Sequence, residues 1–332
     1  MTRRAVVAGA GGFIGHHMVK YLQSRGYWVR AVDIKVPEFE ESSADEFQLC
    51  DLRRLDECLV ATRGVDEVYQ LAADMGGIGY ISSNHADVAR NNVLINAHML
   101  EAAHLNEAER YFFSSSACIY PMYMQTIAEV TPLKEDDAHP ADPEEGYGWE
   151  KLYAEKLCQY YEEEKGLLTR VARFHNIYGP LGTYEGGREK APAAICRKVA
   201  STPTGGAIEV WGDGSQTRSF TYVDDCVEGI YRITQSDHPS PLNLGSDELI
   251  SIDGLVDLVA TVAGKQIYKH HDTSKPQGVR GRNSDNSLLR EVLRWEPATP
   301  LAEGLRHTYA WIEAQLRAQG RAPEAAVPAA VG

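Results

Sequence analysis

Near the N-terminus the run AVVAGAGGFIG, residues 5–15, passes from small and β-branched residues through glycines into an apolar-periodic stretch, FIGHHMVKYLQSRG, closed by Gly26. Gly9, Gly12 and Gly15 follow a GxxGxxG spacing. Glycines between a strand and a helix permit a tight turn, a close approach of backbone to a pyrophosphate, and a helix N-terminus aimed at it. Alone, the turn constrains little, because ordinary strand-to-helix turns also use glycine. A second strand-like run, YWVRAVDI, carries Asp33, 18 residues after Gly15. A carboxylate there accepts from both ribose hydroxyls and repels a 2′-phosphate, which favours NAD over NADP.

The alternation continues with FQLC, DLRRLDECLVATRG, DEVYQLAA, ADVARNNVLINAHMLEAAHL and RYFFSSS. Strand and helix signals in turn predict an α/β fold, a Rossmann-type doubly wound parallel sheet with ligands at the strand C-termini. Asp51, at the end of one such strand, suits an adenine amino group or a helix N-cap, and the two roles are compatible. The chain's 332 residues suffice for two modest domains. Its formal charge of -14 argues against a nucleic-acid partner. No apolar run is long enough to span a membrane, and the strand-like RRAVVAG begins without a signal pattern. Six scattered cysteines show no metal spacing, so no metal is expected and a reduced, cytoplasmic compartment fits. The final RAPEAAVPAAVG reads as a disordered tail.

Two further stretches carry chemistry. SSSACIYP, residues 114–121, follows a buried-strand pattern, and the hydroxyls of Ser114, Ser115 and Ser116 suit a polyhydroxylated ligand. In EEGYGWEKLYAEKL, Tyr147 and Lys151 lie four apart on one helix face. A neighbouring ammonium lowers a phenol's pKa towards that of a usable base. The plainer reading of the pair is a partly buried tyrosine beside a snorkelling lysine. Hydroxyl binder, phenolate base and nicotinamide are together what hydride transfer at a secondary alcohol requires.

These features resemble the extended short-chain dehydrogenase/reductase family, through Gly9 to Gly15 with Phe13 and Ile14, Asp33, Asp51 and Leu52, LAA at 71–73 with Ala72, Ser116, and Tyr147-x-x-x-Lys151. RFHNIYGP, GDGSQTRSFTYVDD and NLGS extend the likeness to about residue 315 and resemble nucleotide-sugar-modifying members. That resemblance implies NAD held by those residues and a smaller C-terminal nucleotide-sugar-binding domain. The expected division is 1–175 with about 217–240 for NAD, about 176–216 and 241–318 for substrate, and 319–332 for the tail.

Cys118 distinguishes this chain within that family, whose C4-epimerases usually carry threonine here and whose 4,6-dehydratases carry an Asp-Glu pair. A thiol suits proton exchange beside a ketone, because oxidation at C4 acidifies the hydrogens at C3 and C5, and inversion needs a base on one face and an acid on the other. A nearby cation makes cysteine a competent base; otherwise a free cysteine is a small buried hydrophobe, as expected for Cys50, Cys58, Cys158, Cys196 and Cys226. Lys190 precedes a helix begun near Pro192, an electrostatically unfavourable place for an ammonium.

LAADMGGIGYISSNH, SSACIYP, RFHNIYGPLGTYEGGREKAPAA, WGDGSQTRSFTYVDDCVEG and GVRGRNSDN resemble the GDP-mannose 3,5-epimerases of plants. The resemblance assigns acid/base work to Cys118 and Lys190, hydride chemistry to Tyr147, Lys151 and Ser116, and a covering loop to Gly76 and Gly77. It implies that Asn176, Glu189, Lys190, Lys198, Gln216, Arg218 and Arg282 hold sugar or diphosphate of a GDP-hexose, and that helices around 85–105 and 147–163 form a homodimer. Arg188, Lys190, Arg197, Lys198, Arg218, Arg280 and Arg282 are expected to gather round the diphosphate. The implied reaction converts GDP-mannose to GDP-L-galactose, with GDP-L-gulose a second product. Alternatives are a GDP-fucose-synthase-like 3,5-epimerase/4-reductase, which pairs its cysteine with histidine, an epimerase of another nucleotide sugar such as a heptose, and a non-catalytic NAD-sensing scaffold.

Overall fold

A computed structural model describes residues 2–321. Its centre is a seven-stranded, wholly parallel sheet. From edge to edge the strands are Leu242–Leu244, Leu168–Phe174, Arg110–Ser116, Glu67–Gln70, Arg4–Ala8, Trp28–Asp33 and Glu46–Leu49. Strand Arg4–Ala8 shows why the sheet is covered on both sides. Ala5 and Val7 pack into one core while Val6 and Ala8 pack into another, as a period-2 strand requires. Complete burial of each valine contributes roughly 1.5–3 kcal/mol, so neither layer of helices is dispensable.

Helices Phe13–Ser24 and Val223–Gln235 pack together on one face, and Leu55–Ala61, His85–Leu105 and Tyr147–Lys165 pack in succession on the other. Strand order reverses between Arg4–Ala8 and Glu67–Gln70, the switch point at which such sheets bind ligands. A smaller part holds helices Ala191–Ser201, Ile252–Ala263 and Leu301–Ala318, the parallel pair Gly206–Trp211 with Ile267–Asp272, and a three-stranded sheet of Leu249–Ser251, Thr217–Ser219 and Gly281–Arg282. Two details depart from the division read in the sequence. Leu242–Leu244 is an edge of the large sheet, paired with Ala172, Arg173 and Phe174, while Thr217–Ser219 pairs within the smaller part. Short strands carry too few residues to reveal their partners.

The expected tail falls mostly on residues 322–332, outside the described residues. Its first residues are held instead: Gln319 donates to the Tyr184 hydroxyl (3.1 Å) and Arg321 pairs with Glu185 (2.8 Å). Among the described residues no helix is long and apolar enough to cross a membrane.

Candidate active site

The glycine turn opens on a recess lined by Gly11, Gly12, Phe13, His16, Lys35 and Phe39. A Cβ on Gly15 would lie 2.1 Å from the Gly9 carbonyl oxygen, and one on Gly9 2.7 Å from Ala72 N. The glycines therefore let the turn, the helix N-terminus and the neighbouring strand close together. Asp33 is buried, accepting from Gly11 N (2.9 Å) and Lys35 N (3.1 Å). These bonds leave acceptor capacity on both oxygens, which suits a ribose diol, so the residues present fit NAD. Burial raises the Asp33 pKa, while the amides and Lys35 pull against it. Asp51 is engaged otherwise: Arg53 grips both its oxygens (2.8 and 2.6 Å), and the following helix is capped by Arg54 instead. Adenine would have to share that carboxylate.

Next to this turn lies a cavity of about 520 Å³. It is lined by ten of the residues expected to meet substrate: Gly76, Gly77, Ser116, Asn176, Glu189, Lys190, Lys198, Gln216, Arg218 and Arg282. Ile14, Cys118, Tyr147 and Lys151 line it as well. It runs from the sheet's C-terminal edge to Trp211 and Gln277 in the smaller part.

At the sheet end, Ser114 and Ser115 are not free for a ligand. Ser114 Oγ donates to the Gln70 carbonyl (3.0 Å), and Ser115 Oγ donates to Glu155, itself paired with Arg173 (2.8 Å). Ser116 remains, close to Tyr147 in the cavity wall and accepting from Cys118 N (3.2 Å). Helix Tyr147–Lys165 starts after Gly146, whose φ of 66° only glycine adopts easily. Its first turn is pressed onto the thiol segment, since a Cβ on Gly148 would lie 2.4 Å from the Cys118 carbonyl oxygen.

Lys151 is wholly buried, its Nζ 5.5 Å from the Tyr147 ring centre and 3.9 Å from Glu150 Oε1. Asn92 and Asn96, four apart on the adjoining helix, donate to the two Glu150 oxygens (2.9 and 3.0 Å). Sequence reasoning missed this clasp; paired asparagines at helical spacing on a buried face were its one signal. Burial works against the lowering of the phenol that the spacing suggests. Burial pushes Tyr147 well above the ordinary tyrosine value, with Glu150 and Cys118 adding to it and Ser116 opposing. Burial also lowers Lys151, against the pull of Glu150.

At the other end, Cys118 lies in a 3-10 turn beyond the strand end, with its thiol facing Arg282 and Glu144. Arg282 donates to Cys118 Sγ (3.5 Å) and to Gln125 Oε1 (2.6 Å), and forms an ion pair with Glu144. Burial and Glu144 raise the thiol pKa, and Arg282 and Ser116 moderate it. Lys190 caps helix Ala191–Ser201, its carbonyl accepting from Ala194 N (3.0 Å). Its ammonium lies in the cavity wall, lowered by burial and opposed by the charge of Cys118. Gly77 N donates to the Arg188 carbonyl (3.1 Å), so the glycine loop rests on the segment that delivers Lys190.

Five of the seven basic residues expected round a diphosphate line the cavity; Arg188 and Arg280 do not. Arg188 covers the Tyr80 ring, and Arg280 grips Asp213 with two 2.9 Å bonds. Arg197 meets Glu189 (3.4 Å), Lys198 meets the Glu209 carbonyl (2.7 Å), and Arg282 turns to the thiol rather than outward. Among the described residues, Arg218 and Lys190 alone of these five have no carboxylate at ion-pair distance. Arg218 donates to the carbonyls of Thr217 (2.7 Å) and Val279 (2.6 Å), and burial lowers it to about 10, with Arg282 adding to the effect. Gln216 is buried in the cavity wall, its Nε2 donating to the Trp211 carbonyl (2.8 Å) and its Oε1 without a protein partner among the described residues. Of the other cysteines, Cys58, Cys158, Cys196 and Cys226 are buried in the cores, whereas Cys50 is half-buried.

The sequence model of the NAD dependent epimerase/dehydratase family matches residues 5–245. Over 315 residues the chain is 51% identical to GDP-mannose 3,5-epimerase 1 of Oryza sativa subsp. japonica, spanning 94% of this chain and 82% of that protein. It is likewise 51% identical over 312 residues to GDP-mannose 3,5-epimerase of Arabidopsis thaliana, spanning 93% and 82%. Among solved structures, UDP-glucose 4-epimerase of Thermotoga maritima superposes with a TM-score of 0.84 at 24% identity, spanning 94% of this chain and 99% of that one. This last likeness bears on the fold alone.

Proposed function

From the premise that the chain belongs to the NAD dependent epimerase/dehydratase family, we propose that it is an isomerase that inverts C3 and C5 of GDP-mannose, giving GDP-L-galactose and, when one centre alone inverts, GDP-L-gulose. The carrying observation is the meeting of Ser116, Tyr147, Lys151, Cys118 and Lys190, from separate segments, in one cavity. NAD, when bound, supplies a reversible hydride acceptor for C4. Tyr147 takes the C4 hydroxyl proton while Ser116 orients that hydroxyl and Lys151 offsets the phenolate charge. Loss of hydride and proton leaves a ketone, so hydrogens at C3 and C5 become removable as an enolate forms. Cys118 and Lys190 then remove and deliver protons on opposite faces, and Tyr147 returns the C4 proton at the end. Arg218 and Lys198 hold the diphosphate, Gly76 and Gly77 cover the hexose, and Asn176, Glu189 and Gln216 fix the remaining polar atoms. The division into a cofactor-binding and a substrate-binding part follows the same assignment.

No histidine lines the cavity among the described residues, which disfavours a reductase that pairs cysteine with histidine. The test is NMR of the product after incubation with GDP-mannose in deuterated water. Deuterium at C3 and C5 with no net consumption of added NAD(H) is expected; stoichiometric NADPH oxidation would overturn the proposal.

Two finer points belong to the same reading. Trp149, Tyr153 and Tyr160 are about half exposed on helix Tyr147–Lys165, and Val93 is exposed on the helix packed against it. An apolar face of this kind suits pairing of two copies as a four-helix bundle, and light scattering should give a dimer mass. Six free cysteines fit a reducing, cytoplasmic compartment.

A further inference from the structure

Glu144 has no role in the mechanism above, yet it lines the cavity beside the proton-transfer thiol. Its backbone N donates to the Cys118 carbonyl (3.0 Å), which fixes the carboxylate to the thiol segment. One Arg282 guanidinium spans both groups, with Nη1 on Cys118 Sγ (3.5 Å) and Nη2 on Glu144 Oε1. Gln125 Oε1 accepts from Arg282 Nε (2.6 Å) and holds the fork in plane. The Glu144 carboxylate is also close enough to the thiol for its charge to raise the thiol pKa. A buried carboxylate, a buried thiol and one cation thus form a closed set.

Resting on the epimerase reading, we propose that Glu144 is the positioning residue that exchanges the thiol proton with Cys118, so that the pair carries one negative charge beside Arg282 until that charge passes to the enolate, and carries it again once the enolate is reprotonated. At rest the thiol is protonated and the carboxylate charged. Transfer of the S–H proton to Glu144 gives thiolate and carboxylic acid, with no change in net charge next to Arg282. The thiolate then takes a proton from the carbon beside the ketone and becomes a thiol again, leaving Glu144 protonated. Return of the Glu144 proton to a thiolate that has delivered its own restores the starting state. Two centres are inverted per turnover, and this store lets one thiol act at both. Directions of titration agree. Burial alone would raise Glu144, yet Arg282 holds it below the usual carboxylate range, whereas Cys118 is raised. Other charged or titratable groups facing the thiol are Lys190, Arg218, Tyr147 and Lys151.

The test is the pH profile of iodoacetamide alkylation of Cys118 in the NAD-loaded protein, quantified on its peptide by mass spectrometry and needing no sugar substrate. Glu144→Gln removes the neighbouring negative charge, so the profile should move to lower pH. With GDP-mannose, the same variant should lose inversion relative to C4 oxidation by about 10²-fold, within the range of general acid–base effects. Glu144→Asp keeps the charge and should hold the profile near wild type. A Glu144→Gln profile that overlays wild type, or a Glu144→Asp profile displaced as far as that of Gln, overturns the proposal. If the wild-type protein leaves GDP-mannose unchanged, the proposed function fails while the alkylation result still decides the proton pairing.

Discussion

The two ends of the cavity are built in different ways. Ser116, Tyr147 and Lys151 come from one strand end and the first turns of one helix, both packed on the large sheet. Lys151 is locked there by Glu150, Asn92 and Asn96. Cys118, Glu144, Lys190, Arg218 and Arg282 come from five segments scattered along the chain, three of them in the smaller part. At the first end, local geometry sets the chemistry. At the second, it depends on how the smaller part sits on the sheet. Loss of a side chain should therefore act differently at the two ends, and a packing change should reach only the second.

The largest effect is expected from Tyr147→Phe. The hydroxyl that takes the C4 proton is lost, and everything downstream needs the ketone, so oxidation, deuterium uptake and inversion should fall together by about 10⁴-fold. Deuterium uptake surviving in this variant would show that the thiol end works without the hydroxyl end, and the comparison would break.

Cys118→Ala should separate the ends. C4 oxidation, followed as NADH absorbance, needs no thiol, whereas inversion should fall by about 10³-fold. Lys190→Ala removes the other proton carrier, so isotope exchange at one face should outlast inversion. Inversion at near wild-type rate in Cys118→Ala would reduce the thiol to packing.

How much could be read beforehand follows the same divide. The four-residue spacing of Tyr147 and Lys151, the glycine spacing and Asp33 are local patterns, and each signals its own geometry. The parallel sheet was legible from strand–helix alternation, except for Leu242–Leu244, whose three residues carry no partner information. Cys118 and Lys190 could be joined through resemblance alone, because nothing local brings residues so far apart to one wall. Glu144 and Gln125 were missed, since neither stretch has periodicity and both reach the thiol through Arg282. Ser114 and Ser115 misled in the opposite sense: free hydroxyls in sequence are spent on Gln70 and Glu155 in the fold.

Arg218 offers a smaller, sharper measurement. Two carbonyls fix its plane, and among the described residues no carboxylate stands at ion-pair distance from it. Arg218→Lys keeps the charge and loses the fork. Charge-assisted hydrogen bonds contribute about 1.5–3 kcal/mol, so KM for the nucleotide sugar should rise about 10–100-fold, with a smaller change in kcat. A fall in kcat with KM unchanged would move Arg218 from holding substrate to the proton-exchange chemistry.

The smallest effect should come from a residue that performs no chemistry. A Cβ on Gly77 would lie 2.7 Å from the Glu189 carbonyl oxygen, a backbone atom that cannot swing aside. Gly77 N also bonds to the Arg188 carbonyl, so the loop and the Lys190 segment must shift together or separate. Neither Ser116 nor Tyr147 touches that contact. Gly77→Ala should therefore displace Lys190 relative to Cys118 and slow inversion by about tenfold, less than the roughly 10²-fold penalty of a full 1 Å misplacement. NADH formation should fall less than inversion, because the hydroxyl end stands on the sheet. The ratio of the two rates in one sample is the readout. An equal fall in both would mean that the loop governs substrate entry rather than the position of Lys190, and that the two ends share one cover.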